Sequence, residues 1–309
     1  MSRRSFVVVA DACGVGALPD AAGYGDGGSN TLVHLADAVG GLDLPALGAL
    51  GLGCVVPLDG VEPATEPALH GRLAAQGLGK ESSTGHWELM GAITTTPLPT
   101  YPHGFPDDVV RALERKTGMR FICNGTYNGI AVLDDYGEEH LSEGALILYT
   151  SQDSVLQLAA HVDRVPEDRL HAICTLAREV MSGEHAVGRV IARPFTGEPG
   201  AFRRTEGRHD LALAPPGPTY LEELSDAGVP VHAVGKIFDL FGGAGIDAAH
   251  PGATNARALA ETTRLVDELD RGLVFTNLIE TDAVYGHRKD VEGFHAALRE
   301  IDAAVASWL

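Results

Sequence analysis

The sequence predicts an α/β protein in which both ends of the chain form one domain and the middle forms an inserted α+β domain. Valine-rich apolar runs followed by acidic or glycine residues, and stretches with apolar residues at helical spacing near the C-terminus, predict the outer domain. Turn-rich segments, including a proline cluster at 215–218, predict the ends of the insertion. We therefore assign residues 1–94 and 215–309 to the core domain and residues 95–214 to the inserted domain.

The outer domain begins with a continuous apolar run, Phe6 to Ala10, which predicts a buried parallel strand ending at Asp11. Polar residues 29–31 are suited to cap a helix over 32–39. Further strands are predicted over 229–234 and 273–279, and helices over 254–270 and 291–308. In the insertion, the patterns predict helices over 107–117 and 169–181 and short strands over 145–150 and 187–191.

Composition excludes some classes of function. The formal net charge of −19 argues against a general grip on nucleic acid, which needs surplus Lys and Arg. It still allows a small phosphorylated substrate, because a few local arginines can reverse the field in one cleft. The four cysteines are not spaced as a zinc ribbon or disulfide framework, and the apolar run at the N-terminus is too short to span a bilayer. We expect a soluble cytoplasmic protein with free thiols.

Two segments carry residues suited to bind cations. Asp11 follows the first predicted strand, where a carboxylate is a good ligand for Mn²⁺ or Mg²⁺, although such an Asp is more often a turn or cap residue. Asp282 and His287 lie five residues apart, across a glycine turn after another strand, and can converge on one cation. The alternative for His287 alone is an ordinary surface histidine.

A third segment carries three hydroxyls in succession, Ser82, Ser83 and Thr84, between charged and glycine residues. A hydroxyl nucleophile needs a base or a metal to lower its pKa. The alternative is a helix cap, with Glu88 in the first turn. We expect all three segments to lie where strands pass into loops.

The serine segment resembles the signature of phosphopentomutases, enzymes of the alkaline phosphatase superfamily. The resemblance continues in several motifs that occur in the family's order along almost the whole chain. These motifs cover residues 79–91, 149–157, 188–195, 204–210, 235–237 and 282–290. The resemblance implies an alkaline phosphatase-like core with an inserted α+β cap domain. It also implies an enzyme that interconverts (deoxy)ribose 1-phosphate and (deoxy)ribose 5-phosphate.

The resemblance also implies roles for individual residues. Ser82 stands where the family has a phosphorylated threonine, and Ser83 and Thr84 are the less favoured alternatives. Asp153 matches an acid of the cap that approaches the phosphorylated residue. The metal ligands implied for two Mn²⁺ ions are Asp11, Ser82, Asp282 and His287, and the basic residues implied to hold substrate phosphate are Arg193, Arg208 and Lys236. A sugar bisphosphate activator is compatible with this chemistry, and the expected partner is a pentose phosphate, with neither nucleic acid nor membrane.

The sequence departs from the family at three places. Serine replaces threonine at 82, and residues 124–129 replace an Ala-Ser-Gly element. A further family motif that supplies an Asp and two His ligands has no counterpart in this sequence. That absence favours one rival, a truncated or degenerate chain that binds a sugar phosphate without catalysis. The other rival is a different superfamily enzyme, such as a phosphoglycerate mutase or a metal-dependent phosphatase.

Overall fold

The computed structural model describes residues 3–79, 81–250 and 252–309, which form two compact units. The first unit comprises Met1–Gln76, Pro218–Phe238 and Gly243–Leu309, and the second comprises Gly77–Gly217 and Asp239–Gly242. The chain therefore passes from the first unit into the second and back twice, the second time for only four residues. Our assignment of residues 77–94 to the core domain stays a prediction.

Within the described residues, ten strands form two sheets, one in each unit. In chain order they are β1 Arg3–Ala10, β2 Phe121–Thr126, β3 Leu146–Thr150, β4 Val155–His161, β5 Arg189–Thr196, β6 Arg203–Arg204, β7 His209–Ala212, β8 Val231–Val234, β9 Ala248–His250 and β10 Arg271–Leu278. The α-helices are α1 Thr31–Val39, α2 Pro45–Leu50, α3 Leu52–Val55, α4 Ser82–Leu89, α5 Asp107–Thr117, α6 Ala131–Glu143, α7 Glu167–Val180, α8 Tyr220–Asp226, α9 Ile237–Leu240, α10 Asn255–Glu268 and α11 Val291–Trp308. The described part of the chain also contains the short 3₁₀ helices Ala21–Tyr24 and Gly183–His185 and a π-helical turn, Thr281–Gly286.

The first unit is built on a four-stranded, wholly parallel sheet in the order β1-β10-β8-β9. Helices α1, α10 and α11 contribute Leu35, Leu259 and Leu298 to the core that packs against Val274 and Leu278 of β10. Burying aliphatic side chains of this kind contributes about 1.5–3 kcal/mol each. Parallel strands all present their carboxyl ends at one edge, which is where α/β sheets bind ligands.

The second unit is built on a mixed sheet in the order β2-β3-β4-β5-β6, with β7 also paired to β5. One face is covered by α5 and α7, whose Leu113 and Ala177 pack against Leu156 and Leu158 of β4. On the other face, α6 packs on β2, β3 and β4. In β5, which follows β4 in the sheet, Arg189 and Arg193 remain only partly buried.

The predicted α/β class is confirmed, and so are the helices over 107–117 and 291–308. The parallel strand leading into Asp11 is also confirmed, but the prediction that it is buried was wrong, because β1 is an edge strand whose residues are partly buried or exposed. The strand predicted over 187–191 runs on to Thr196, because its second half is buried beside β4. The polar residues before α1 make no side-chain capping bond to it. Among the described residues, no helix combines the length and apolar character needed to cross a bilayer.

Candidate active site

Asp11 and Asp282 follow neighbouring strands of the parallel sheet in the first unit. Ala10 of β1 is paired with Leu278 of β10, and the Asp11 backbone N–H donates to the Leu278 carbonyl at 3.1 Å. The segments after both strands therefore leave the sheet at the same edge. The structure thus places two of the predicted metal ligands on one rim.

Asp282 and His287 lie within one irregular helical turn. Residues 281–286 form a π-helix, and the Nε2 atom of His287 lies 3.5 Å from Oδ2 of Asp282. Gly286 is required in this turn, because a Cβ atom there would approach the Thr281 carbonyl oxygen to 2.8 Å. The glycine turn predicted between the two ligands is therefore a π-helical turn, a form that often occurs at functional sites.

Cys13 also lies close to this rim, with its Sγ 3.4 Å from the Asp11 carbonyl oxygen. Burial and the neighbouring Asp11 carboxylate raise the pKa of the Cys13 thiol to about 12. The thiolate is the form that binds metals, so without a cation this side chain stays a neutral thiol. Oxygen and imidazole groups are the remaining donors here.

The donors on this rim suit a hard or borderline divalent cation. Asp11 and Asp282 offer carboxylate oxygens, and His287 offers an imidazole nitrogen with its side chain 74% exposed. Across residues 3–79, 81–250 and 252–309, however, no three His, Cys, Asp or Glu side chains are already grouped as a metal site. The metal-ligand roles of Asp11, Asp282 and His287 stay predictions.

Lys236 follows β8 and so lies at the same edge of the parallel sheet. The turn that leads to it contains Gly235 in the left-handed conformation, with φ at 76°. A Cβ atom at Gly235 would lie 2.5 Å from the carbonyl oxygen of Asn277, so only glycine fits. The backbone conformation therefore explains the glycine of the Gly235-Lys236 motif. The role of Lys236 as a phosphate ligand stays a prediction.

Ser82 is the first residue of α4, and the structure distinguishes it from its two hydroxyl neighbours. Ser82 is exposed, whereas Ser83 and Thr84 are buried, and the Thr84 hydroxyl donates to the Glu81 carbonyl at 2.9 Å. A helix N-terminus favours negative charge and presents free backbone N–H groups, so phosphate is compatible with this position. Of the three candidates, Ser82 is the most accessible for group transfer.

Two expectations about this segment were wrong. Residues 62–79 form neither helix nor strand before α4, so the serine segment does not follow a strand. Glu88 lies in the last turn of α4 rather than the first, and its Oε2 accepts from the Gly77 backbone N–H at 2.9 Å. Lys80, which belongs to the same motif, lies outside the described residues.

Two further residues of the signature, His86 and Trp87, make hydrogen-bond contacts within α4 and from α4 to another segment. His86 Nδ1 lies 2.7 Å from the Ser82 carbonyl oxygen. The Trp87 indole is buried and donates to the Leu240 carbonyl at 2.7 Å. Because a buried indole N–H needs a partner, this bond ties α4 to residues 239–242 of the same unit.

The second unit contains a pocket of about 200 Å³ on the face of its sheet that α6 leaves open. The residues lining it come from the turn between β3 and β4, from β4, from β5 and from the segment before β7. They are Ser151, Asp153, Val155, Gln157, Arg189, Ile191, Arg193 and Arg208. Three predicted site residues, Asp153, Arg193 and Arg208, therefore line one pocket, and Ser82 is not part of its lining.

Charges of opposite sign alternate beside this pocket. Arg189 lies 3.9 Å from Asp153 and 3.8 Å from Asp210, and Arg208 binds Asp210 through two bonds of 2.6 Å. Burial acts to raise the pKa of Asp210, but the Arg208 hydrogen bond and the nearby arginine charges outweigh it and lower that pKa. The aspartate is thereby held as a carboxylate.

Arg193 is held by a different partner. Its Nε donates to Oε1 of Gln157 at 3.0 Å, and Gln157 is only 5% exposed. Burial, followed by the Arg208 charge, lowers the pKa of Arg193. The lowered pKa indicates that burial disfavours the charged guanidinium here. An anion in the pocket would offset that desolvation cost.

Sequence reasoning did not single out Arg189, Gln157 or Asp210. All three lie in the motifs named above. Gln157 belongs to the wholly buried strand β4, whereas Arg189 and Arg193 are partly exposed in β5 with three buried residues between them. Period-two alternation could have placed Arg189 on the same face as Arg193. Nothing local places Asp210 there, because its position depends on the pairing of β7 with β5.

Comparison with known proteins gives a consistent result. A model of the metalloenzyme superfamily matches residues 3–309. A phosphopentomutase from Anaeromyxobacter dehalogenans is 49% identical over 311 residues, which cover all of this chain and 80% of that protein. Phosphopentomutases from Caldanaerobacter subterraneus subsp. tengcongensis and Dictyoglomus turgidum are 45% and 43% identical, each over 98% of this chain and 77% of their own length.

These matches extend through both units, so they cover the rim of the parallel sheet and the arginine pocket alike. The similarity is therefore not confined to one motif or one domain. The chain belongs to the metalloenzyme superfamily and, within it, to the phosphopentomutase family.

Proposed function

We propose that this protein is a metal-dependent phosphopentomutase that interconverts (deoxy)ribose 1-phosphate and (deoxy)ribose 5-phosphate. The observation that carries the proposal is the pocket lined by Arg189, Arg193 and Arg208 in a member of this family. Three guanidinium groups face two carboxylates, Asp153 and Asp210, so the cluster is locally positive although the chain carries a net charge of −19. A small phosphorylated ligand suits this field.

Ser82 is proposed to carry the transferred phosphoryl group. Phospho-Ser82 would pass its phosphoryl group to the free hydroxyl of a pentose phosphate, giving a sugar bisphosphate and the unmodified serine. The other phosphoryl group of the bisphosphate would then return to Ser82 and release the isomeric monophosphate. Because Ser82 is regenerated in its phosphorylated form, a trace of bisphosphate would serve as activator.

Asp11, Asp282 and His287 are the residues proposed to hold divalent cations, with Mn²⁺ as the preferred ion and Ser82 as a further ligand. Bound cations would neutralise charge on the transferring phosphoryl group. Lys236 at the same edge, together with Arg193 and Arg208, would hold substrate phosphate. Asp153 would act as the acid that approaches the phosphorylated serine and the sugar.

Family membership favours this proposal over the two rivals. A different superfamily enzyme would prefer 3-phosphoglycerate or a simple phosphate ester to a pentose phosphate. A non-catalytic relative would bind sugar phosphate without turnover. We further propose that the substrate is a free small molecule met in the cytoplasm.

Replacement of Ser82 tests the proposal. The Ser82→Ala variant should lose mutase activity by at least about a thousandfold, because the covalent intermediate cannot form. The buried neighbour provides a matched control, and Ser83→Ala should keep most of the activity. Intact-mass measurement should find one added phosphate on the parent and none on Ser82→Ala. Undiminished turnover by Ser82→Ala would place the nucleophile elsewhere.

A further inference from the structure

Asp210 makes a close two-bond contact with Arg208 and is not among the residues that line the arginine pocket. Its two carboxylate oxygens accept from Nε and one terminal nitrogen of Arg208, both at 2.6 Å. Such fork-to-fork pairing fixes the plane of a guanidinium as well as its position. Arg208, held in this way, is one of the residues that line the pocket.

The same carboxylate also reaches a second arginine. Oδ2 of Asp210 lies 3.8 Å from a terminal nitrogen of Arg189, on the adjacent strand. Asp210 is paired with Ile191 in the antiparallel β5–β7 ladder, so Arg189 is its diagonal neighbour. One carboxylate therefore contacts two of the three arginines from outside the pocket.

Ion pairs at protein surfaces usually contribute little to stability. The burial and geometry of this pair therefore decide whether it restrains the side chains. The Asp210 side chain is 24% exposed, against 45% for Arg208, and the pair is bidentate. Partial burial and paired hydrogen bonds are the conditions under which such a contact restrains a side chain.

We propose that Asp210 is a positioning residue, which holds Arg208 in the orientation that binds a phosphate group in this pocket. The inference rests on the proposed function only in taking phosphate as the ligand. A positioning role predicts a change in phosphate affinity opposite in sign to the one that charge alone predicts. Removing a negative charge beside an anion site should strengthen anion binding by electrostatics alone, whereas loss of positioning should weaken it.

The test is titration of the full chain with inorganic phosphate by calorimetry. Asp210→Asn should weaken phosphate binding about tenfold, as expected for losing charge-assisted bonds that orient a ligand group. Asp153→Asn removes the same charge from the pocket without releasing the Arg208 fork, and it should bind phosphate more tightly. Asp210→Glu should recover part of the lost affinity. Equal or tighter binding by Asp210→Asn would overturn the inference.

A second measurement does not depend on phosphate binding. In the ligand-free protein, the Nε–H of Arg208 should exchange slowly with solvent, and Asp210→Asn should accelerate that exchange. Thermal denaturation would show that the variant remains folded. If the parent binds no phosphate, the proposed function fails while the exchange measurement still decides the positioning role. Unchanged exchange in Asp210→Asn would refute the positioning role.

Discussion

The rim of the first unit and the pocket of the second unit both gather charge, but they differ in how that charge is compensated. In the pocket, Arg208 and Asp210 form a bidentate pair and Arg193 is bonded to Gln157. On the rim, the imidazole of His287 lies 3.5 Å from the Asp282 carboxylate, and Asp11 follows the neighbouring strand. The arginines of the pocket are paired with protein groups, whereas the carboxylates and imidazole of the rim are donors suited to a bound cation.

This difference indicates which interactions order the side chains of each region. Bonds among protein groups hold the arginines before any ligand arrives, which lowers the cost of binding. The rim places ligands on the ends of neighbouring strands, and a cation would draw them together. We therefore expect the rim to depend on added metal and the pocket to be independent of it.

The largest expected effect comes from metal binding at the rim. Mn²⁺ at a hundredfold excess over its dissociation constant should raise the free energy of unfolding by about 2.7 kcal/mol. Asp282→Asn should lose most of that stabilisation, because a carboxylate ligand is replaced by an amide. The measurement is urea unfolding with and without Mn²⁺, with the exposed Asp267→Asn as control. If Mn²⁺ stabilised Asp282→Asn as much as the parent, the expected dependence of the rim on metal through Asp282 would be wrong.

A smaller effect is expected in the pocket. Arg193→Lys should weaken phosphate binding by about tenfold, because lysine has no Nε–H to bond Gln157 and no planar fork for phosphate. Calorimetry measures the affinity, and the exposed Arg111→Lys is the matched control. The Mn²⁺-induced stabilisation should stay unchanged in Arg193→Lys. A parallel loss of both would show that the two regions are not independent.

The smallest effect concerns pH and a buried histidine of the second unit. Burial lowers the pKa of His140, whose Nδ1–H donates to the Ala145 carbonyl at 2.7 Å while Nε2 accepts from the His161 backbone N–H at 2.9 Å. The folded chain thus holds this imidazole neutral, whereas the unfolded chain protonates it near its ordinary pKa of about 6.5. His140 should cost stability as pH falls below that value, with the loss levelling off below the lowered folded pKa.

Imidazole nitrogen NMR is the direct measurement for this prediction. His140 should remain the neutral Nδ1–H tautomer at a pH where the unfolded chain is protonated. His140→Gln should show a shallower loss of unfolding free energy between pH 7.5 and pH 5.5 than the parent. An equally steep loss in both proteins would contradict the assignment.

Much of the fold was predictable because the signals are local. The apolar run into Asp11 gave β1, and the spacing of apolar residues gave α5 and α11. The site was predictable in part for the same reason, since Asp11 and Asp282 each follow a strand. Their meeting at one edge follows from parallel pairing alone.

The rest depends on contacts between distant parts of the chain. Local pattern could not choose among Ser82, Ser83 and Thr84, because burial of the latter two comes from the packing of α4. Asp302 shows the same limit. It looks like an ordinary residue of an amphipathic helix, yet it is buried and accepts from the backbone N–H groups of Ala46 and Leu47 at the start of α2.

By itself, then, the sequence determined the α/β class, the chain order of the motifs and the types of side chain available for cations and phosphate. Tertiary structure decided which of those side chains share a pocket and which partners hold them. The pairing of β7 with β5 brings Asp210 beside Arg189. The physical reason is that periodicity acts within a segment, whereas strand pairing and burial join segments that are far apart in sequence.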